Sequence, residues 1–147
     1  MDDKLIFRLK EFYTLETFQV AFYDAQANSA TDEYYKKAFA KMVKIEQGHA
    51  DYFANLIGRA KEGVPSLVGS IFQLAGKFVG ETVESIGQHS TCKLGVALEN
   101  EATKKYREFI QESKEKEYLN VRDTLFEYLL DEEFHTYWLR DYMNKHP

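Results

Sequence analysis

The sequence has few of the residues that break helices or cross-link chains. Its 147 residues include two prolines, Pro65 and Pro147, eight glycines and one cysteine, Cys92. A single cysteine excludes an intrachain disulfide framework, a cysteine-rich zinc site and a four-cysteine iron–sulfur or rubredoxin-type module in this chain. The first residues are acidic and mixed in polarity, unlike a signal peptide. We therefore expect a cytoplasmic protein.

Excess basic charge and long apolar runs are also missing. Lys and Arg number 19 against 24 Asp and Glu, a formal net charge of -5, which argues against a nucleic-acid partner. No stretch reaches the ~18 uninterrupted apolar residues of a membrane span. The nearest candidate, 64–83, contains Gln73, Lys77 and Glu81. At most, we expect peripheral contact with a membrane.

The spacing of the apolar residues predicts an all-α fold in one domain that covers residues 1–147. Leu5, Leu9, Phe12, Val20 and Tyr23 recur at intervals of three, four or their sums, as helical faces require. The predicted helices cover about 3–27, from a cap at Ser29 or Thr31 to 62–63, about 65–85, about 87–113 and about 117–144.

Each long helix carries ionisable residues in the middle of its apolar stripe, where surface-seeking side chains do not belong. They are Glu16, the pair Glu46 and His49, Glu99, and the pair Glu132 and His135. A Glu and a His three residues apart lie on one helical face, so both can ligate one ion. Four buried carboxylates are unfavourable unless cations neutralise them, and two divalent metal ions would do so.

Helix lengths support a common depth for these residues. Glu16 lies ~20 Å before the first turn and Glu46 ~22 Å after it, and Glu99 and Glu132 are similarly balanced about the turn near 114–116. Each pair of helices therefore places its two acids at the same height along the helix axes. From His49 the chain runs ~20 Å to the end of helix two, the segment after Pro65 can climb back ~30 Å, and helix three descends ~18 Å to Glu99, so the two halves meet at one depth.

Two tyrosines lie at the same sequence distance from an acid, one in helix one and one in helix three. Tyr23 follows Glu16 by seven residues, and Tyr106 follows Glu99 by seven. Two helical turns place each phenol on the face of its acid, where it could hydrogen-bond a metal ligand. Ordinary core tyrosines explain the pattern equally well.

The four-helix pattern resembles the ferritin-like di-iron carboxylate proteins, in which a four-helix bundle has one long helical crossover between helices two and three. The segment from Glu99 to Tyr106 is similar to the third helix of rubrerythrin-type proteins. The chain most resembles the demethoxyubiquinone hydroxylase family. That likeness rests on Pro65-Ser66-Leu67, Ala75-Gly76, Gly80 and Gly87 in the crossover and on Gln26 in helix one.

The resemblance implies two iron ions at which O₂ or peroxide is reduced and a quinone ring is hydroxylated. Manganese is an alternative metal, because carboxylate-rich sites accept it as well as iron. It assigns as ligands Glu16, Glu46, His49, Glu99, Glu132 and His135, and it names no catalytic residue beyond them. An external electron donor is implied, because one cysteine cannot build a rubredoxin centre. The chain departs from the family at Lys105, where His is usual, and at Val64-Pro65, where Arg-Pro is usual.

Other functions stay open at this point. Rubrerythrin-like detoxification of peroxide or oxygen is one, and ferritin-like iron binding and oxidation without an organic substrate is another. A purely structural bundle would need buried cations to pair with its buried acids. The apolar stripes that contain these Glu residues hold no Lys or Arg beside them. The apolar face of the crossover segment suits a homodimer better than a membrane, because basic residues are few.

Overall fold

The computed structural model describes residues 3–60 and 92–146, and both stretches are helical. Helix α1 covers Asp3–Ser29 and α2 covers Glu33–Arg59. Helix α3 occupies 92–112 of the described residues. A 3₁₀ turn at Lys116–Tyr118 leads into α4, Leu119–Lys145. The described residues contain no strand, which confirms the predicted all-α class.

The chain forms two compact units, Met1–Thr91 and Cys92–Pro147. In the first unit α1 and α2 are antiparallel, because Phe12 meets Phe53 near one end and Tyr23 meets Phe39 nearer the turn. In the second unit α3 and α4 are antiparallel. The prediction of a single domain over residues 1–147 is not tested by this division and stays a prediction.

The cap of α2 corrects the sequence-based prediction. Ser29 or Thr31 was expected to cap this helix, but α1 continues to Ser29 and the cap is Asp32. The Asp32 carboxylate accepts from the backbone N–H groups of Tyr34 at 2.8 Å and Tyr35 at 3.3 Å. An ionised acceptor at a helix N-terminus also interacts favourably with the helix dipole, which favours Asp over the two hydroxyl residues.

Helix ends differ from the predicted ones by a few residues. Helix α2 ends at Arg59 rather than at 62–63, and the fourth helix begins at Leu119 because the 3₁₀ turn occupies the preceding residues. The predicted crossover helix over 65–85 and the predicted start of helix three near 87 lie outside the described residues. Among the described helices, none is both long enough and apolar enough to cross a membrane.

Candidate metal centre

The first unit brings together three of the predicted site residues. Glu16 comes from α1, and Glu46 and His49 come from α2. Nδ1 of His49 lies 3.2 Å from Oε2 of Glu16 and 3.5 Å from Oε2 of Glu46. Donor atoms from all three residues lie within 4.8 Å of one another. We call this group the α1/α2 cluster, and none of its side chains is more than 4% exposed.

Aromatic packing positions the α1/α2 cluster. Phe12, one turn before Glu16, meets Phe53, one turn after His49, at a centroid distance of 5.3 Å. Tyr23 stacks on Phe39 at 6.4 Å further along the same pair of helices. These buried rings fix the register of α1 against α2. The carboxylate of Glu16 consequently lies level with the Glu-x-x-His pair, as the helix lengths predicted.

The second unit holds a group of the same composition. Glu99 comes from α3, and Glu132 and His135 come from α4. Nδ1 of His135 lies 3.5 Å from Oε1 of Glu99, and donor atoms from all three residues lie within 4.8 Å of one another. We call this group the α3/α4 cluster. Its three side chains are also buried.

Polar contacts between α3 and α4 fix the second cluster. Arg107 on α3 donates to the carboxylate of Glu133 on α4, beside the cluster residue Glu132. Near the turn, Nε of Arg122 donates to the carbonyl oxygen of Ile110 at 3.0 Å. That carbonyl belongs to the last turn of α3, where helix geometry leaves backbone acceptors without intrahelical donors. The two contacts hold the helices in the register that joins Glu99 to His135.

Two acids beside the clusters are exposed and paired with basic side chains rather than buried with the cluster residues. Glu133 is exposed and paired with Arg107, and Glu101 is exposed and lies 3.7 Å from Lys105 Nζ. The structure therefore distinguishes buried Glu99 and Glu132 from the exposed acids that stand one or two positions away. The distinction follows from the helical period, because a shift of one or two residues turns a side chain to another face.

The chemistry of both clusters fits a divalent transition metal. Each combines two carboxylates with one imidazole, so with both carboxylates ionised its net charge is negative even when the imidazole is protonated. The buried atoms Glu99 Oε2 and Glu132 Oε1 accept no hydrogen bond. Atoms that bind one ion at ~2 Å lie within ~4 Å of each other, close to the observed spacing. Carboxylate and imidazole ligands suit iron, manganese and zinc.

The two predicted tyrosines are buried, at 0% and 1% exposure for Tyr23 and Tyr106. Tyr23 packs edge-on against Phe22, with centroids 5.1 Å apart, as well as on Phe39. These contacts are those of a core aromatic residue. A hydrogen bond from either phenol to a metal ligand stays a prediction.

One buried polar residue on α1 went unnoticed in the sequence. Gln19 is 1% exposed and lies three residues after Glu16 and four before Tyr23. With Gln26, also buried, these residues form a polar row along one face of α1. The same three- and four-residue spacing that defines the apolar stripe relates Gln19 to Glu16 and Tyr23, so the row is visible in the sequence.

The motif residues of the crossover, from Pro65 to Gly87, lie outside the described residues. Comparison with known proteins gave one family. The chain matches the model of the family described as Ubiquinone biosynthesis protein COQ7 over residues 16–145, which is most of its length and includes both clusters. Neither the curated proteins nor the solved structures gave a significant match.

Proposed function

The chain belongs to the Ubiquinone biosynthesis protein COQ7 family, and on that premise we propose that it is a di-iron monooxygenase that hydroxylates a quinone-type ring. This family consists of ferritin-like di-iron hydroxylases of ubiquinone synthesis, the demethoxyubiquinone hydroxylase family. The family resemblance and ferritin-like fold class predicted from the sequence are therefore confirmed. The oxidoreductase class follows from the family, while the substrate and the oxidant belong to the proposal.

The observation that carries the proposal is the matched composition of the two clusters. Each has one Glu from the first helix of a hairpin and a Glu-x-x-His pair from the second. Di-iron carboxylate proteins of the ferritin-like type use this ligand set twice. We propose that the ligands of two iron ions are Glu16, Glu46, His49, Glu99, Glu132 and His135.

Iron in such a site supplies the redox chemistry that amino-acid side chains lack. The side chains hold the metal, and their burial keeps water from the ligand atoms. Both histidines must be neutral to ligate through a ring nitrogen, so acid conditions should weaken metal binding. The excess negative charge of each cluster favours cations over neutral ligands.

The proposed reaction requires partners that supply both oxygen and electrons. Hydroxylation of a ring C–H bond by O₂ places one oxygen atom in the product and releases the other as water, which consumes two electrons and two protons. The single cysteine, Cys92, rules out a cysteine-ligated electron-transfer centre in this chain. We propose that a separate donor or the reduced substrate supplies the electrons.

A labelling experiment tests this function. The iron-loaded protein would be given ¹⁸O₂, a chemical reductant and a short-chain 1,4-benzoquinone with one unsubstituted ring position. We expect mass spectrometry to find one ¹⁸O atom in the quinone product, and none with a Glu99→Ala variant. Labelled water in place of labelled O₂ should leave the product unlabelled, which separates hydroxylation from exchange.

Two alternatives predict no labelled quinone in this experiment, and each predicts a positive result in a separate assay. Rubrerythrin-like activity would consume added peroxide and leave the quinone without new oxygen. Ferritin-like activity would oxidise many iron ions per chain in a large hollow particle, again without a quinone product. Lys105 stands where the family usually has His before the helix-three tyrosine. Peroxide consumption should therefore be measured alongside quinone hydroxylation.

A further inference from the structure

Helix α4 carries a row of large apolar side chains on its exposed face. Phe126, Leu130, Phe134 and Tyr137 are each between 47% and 73% exposed. Their spacing of four, four and three residues places them on one side of the helix, opposite the face that holds His135. The row is about 16 Å long at the rise of an α-helix. A contiguous apolar surface of this kind marks an interaction site.

Charged residues stand at both ends of this α4 face. Arg122 and Asp123 precede Phe126, and Arg140 and Asp141 follow Tyr137. The guanidinium of Arg122 lies 5.9 Å from the centroid of the Phe126 ring. The first end therefore offers one cation and one anion, and at the second end Asp141 also pairs with Lys145 Nζ at 2.9 Å.

The charge order is self-complementary when two copies of α4 pack antiparallel. If Phe126 faces the partner's Tyr137, the same register sets Asp123 opposite the partner's Arg140. It also sets Arg122 opposite the partner's Asp141. Each contact occurs twice in a two-fold symmetric pair, so the interface would hold four opposite-charge pairs, and at its centre Leu130 would face the partner's Glu133.

Eight residues lie along the centre of this face, four of them apolar or aromatic and four charged or polar. Leu119, Asp123, Phe126, Leu130, Glu133, Tyr137, Arg140 and Asn144 alternate intervals of four and three. In a parallel pair in register, Asp123 would face its own copy, and so would Arg140, which is repulsive. The antiparallel arrangement removes both repulsions.

We propose that this face of α4 is the interface with a second copy of the chain, with the two α4 helices antiparallel about a two-fold axis that lies midway between Leu130 and Glu133. A membrane surface is a poorer occupant, because Arg122 and Arg140 each stand beside an acid, Asp123 or Asp141, so the face lacks the excess of basic charge that anionic lipid headgroups attract. The inference stands independently of the proposed hydroxylase activity.

Sedimentation velocity of the full chain, from micromolar to submillimolar concentration, measures the dimer. We expect a monomer–dimer equilibrium and a dissociation constant raised about tenfold or more by Leu130→Glu. The control is Phe7→Glu on α1, since Phe7 is 62% exposed against 68% for Leu130. It should leave the constant unchanged. Far-ultraviolet circular dichroism verifies that both variants keep their helices.

Exchanging the charges tests the orientation. Asp123→Arg alone, and Arg140→Asp alone, should each weaken the dimer about tenfold, because each creates like-charge pairs across the axis. The double variant restores opposite charges and should return the dissociation constant close to the original value. A parallel pair or a different interface would show no such rescue.

Three results would overturn the proposal. One is a wild-type chain that remains monomeric at every concentration, and another is a dimer that Leu130→Glu leaves intact. The third is binding of the monomer to vesicles of anionic phospholipid that Leu130→Glu abolishes, since the face would then meet a membrane rather than a second copy.

Discussion

Phe12 on α1 and Phe53 on α2 lie with their ring centroids 5.3 Å apart and their planes tilted by 36°. Phe12 precedes Glu16 by four residues, and Phe53 follows His49 by four. The antiparallel register that brings the rings together also brings Nδ1 of His49 to 3.2 Å from Oε2 of Glu16. An apolar contact therefore sets the position of the polar cluster.

Truncation of one of these rings should affect both stability and metal affinity. Phe53→Ala removes a fully buried ring, and we expect the free energy of unfolding to fall by about 3–5 kcal/mol. Looser packing beside His49 should also weaken iron binding about tenfold. Chemical denaturation of the metal-free protein and iron titration of the folded fraction measure the two effects.

The control for this prediction is Phe7→Ala, which removes a ring that is 62% exposed. Its free energy of unfolding should change by less than about 0.5 kcal/mol, with no effect on iron affinity. Equal losses of stability in the two variants would show that the Phe12 and Phe53 contact has no special role.

Removal of a single carboxylate should abolish metal binding at one cluster without unfolding the helices. Glu99→Ala removes a buried cluster residue, and we expect loss of iron binding in the α3/α4 cluster while the helix content is retained. The matched control is Glu101→Ala, because Glu101 is two residues away on the same helix and exposed.

The metal-free Glu99→Ala protein should be no less stable than the wild type, because one of several buried negative charges is gone. Added iron should raise the melting temperature of the wild type and of Glu101→Ala but much less that of Glu99→Ala. Equal iron-dependent shifts in all three proteins would remove Glu99 from the proposed ligands.

Much of the site could be predicted from residue spacing, because two Glu-x-x-His pairs interrupt otherwise apolar helical faces. The three residues predicted in each hairpin do lie together, since helix length alone sets their depth. Their role as metal ligands stays a prediction. The burial of Gln19 was not predicted, because an uncharged amide is less conspicuous than a charged residue in an apolar stripe. A buried amide nevertheless requires hydrogen-bond partners, as a buried charge does.

The cap of α2 could not be chosen from sequence, because three adequate capping residues, Ser29, Thr31 and Asp32, stand within four positions. We expect Asp32→Ala to lower the free energy of unfolding by about 1 kcal/mol, since two backbone N–H groups lose their acceptor. Thr31→Ala, at the cap predicted from sequence, should have a much smaller effect. Denaturant titration of the two variants compares them directly.

Burial makes Cys92 unreactive. It raises the pKa of the Cys92 thiol from 9.0 to about 12, because the surroundings disfavour the thiolate. We expect iodoacetamide to modify the folded protein slowly at pH 9 and the urea-unfolded protein rapidly. The contribution of this thiol to the free energy of unfolding should be complete below pH 9.0. It should be lost as the pH rises towards 12, because between these two pH values only the thiol of the unfolded chain ionises.

Rapid alkylation of the folded protein at pH 9, at the rate of the unfolded chain, would contradict this account of Cys92. The Cys92→Ser variant identifies any modification at other residues. Mass spectrometry of the intact protein distinguishes one added group from several.

The central claim, that six buried residues hold two iron ions, is tested most directly by anaerobic Fe(II) titration of the metal-free protein. Air is then admitted while optical spectra are recorded. We predict saturation near two iron ions per chain, followed by a new near-ultraviolet absorption that forms only after oxygen is added. A folded chain that binds no iron, or a Glu16→Ala, Glu99→Ala double variant that binds as much as the wild type, would contradict the claim.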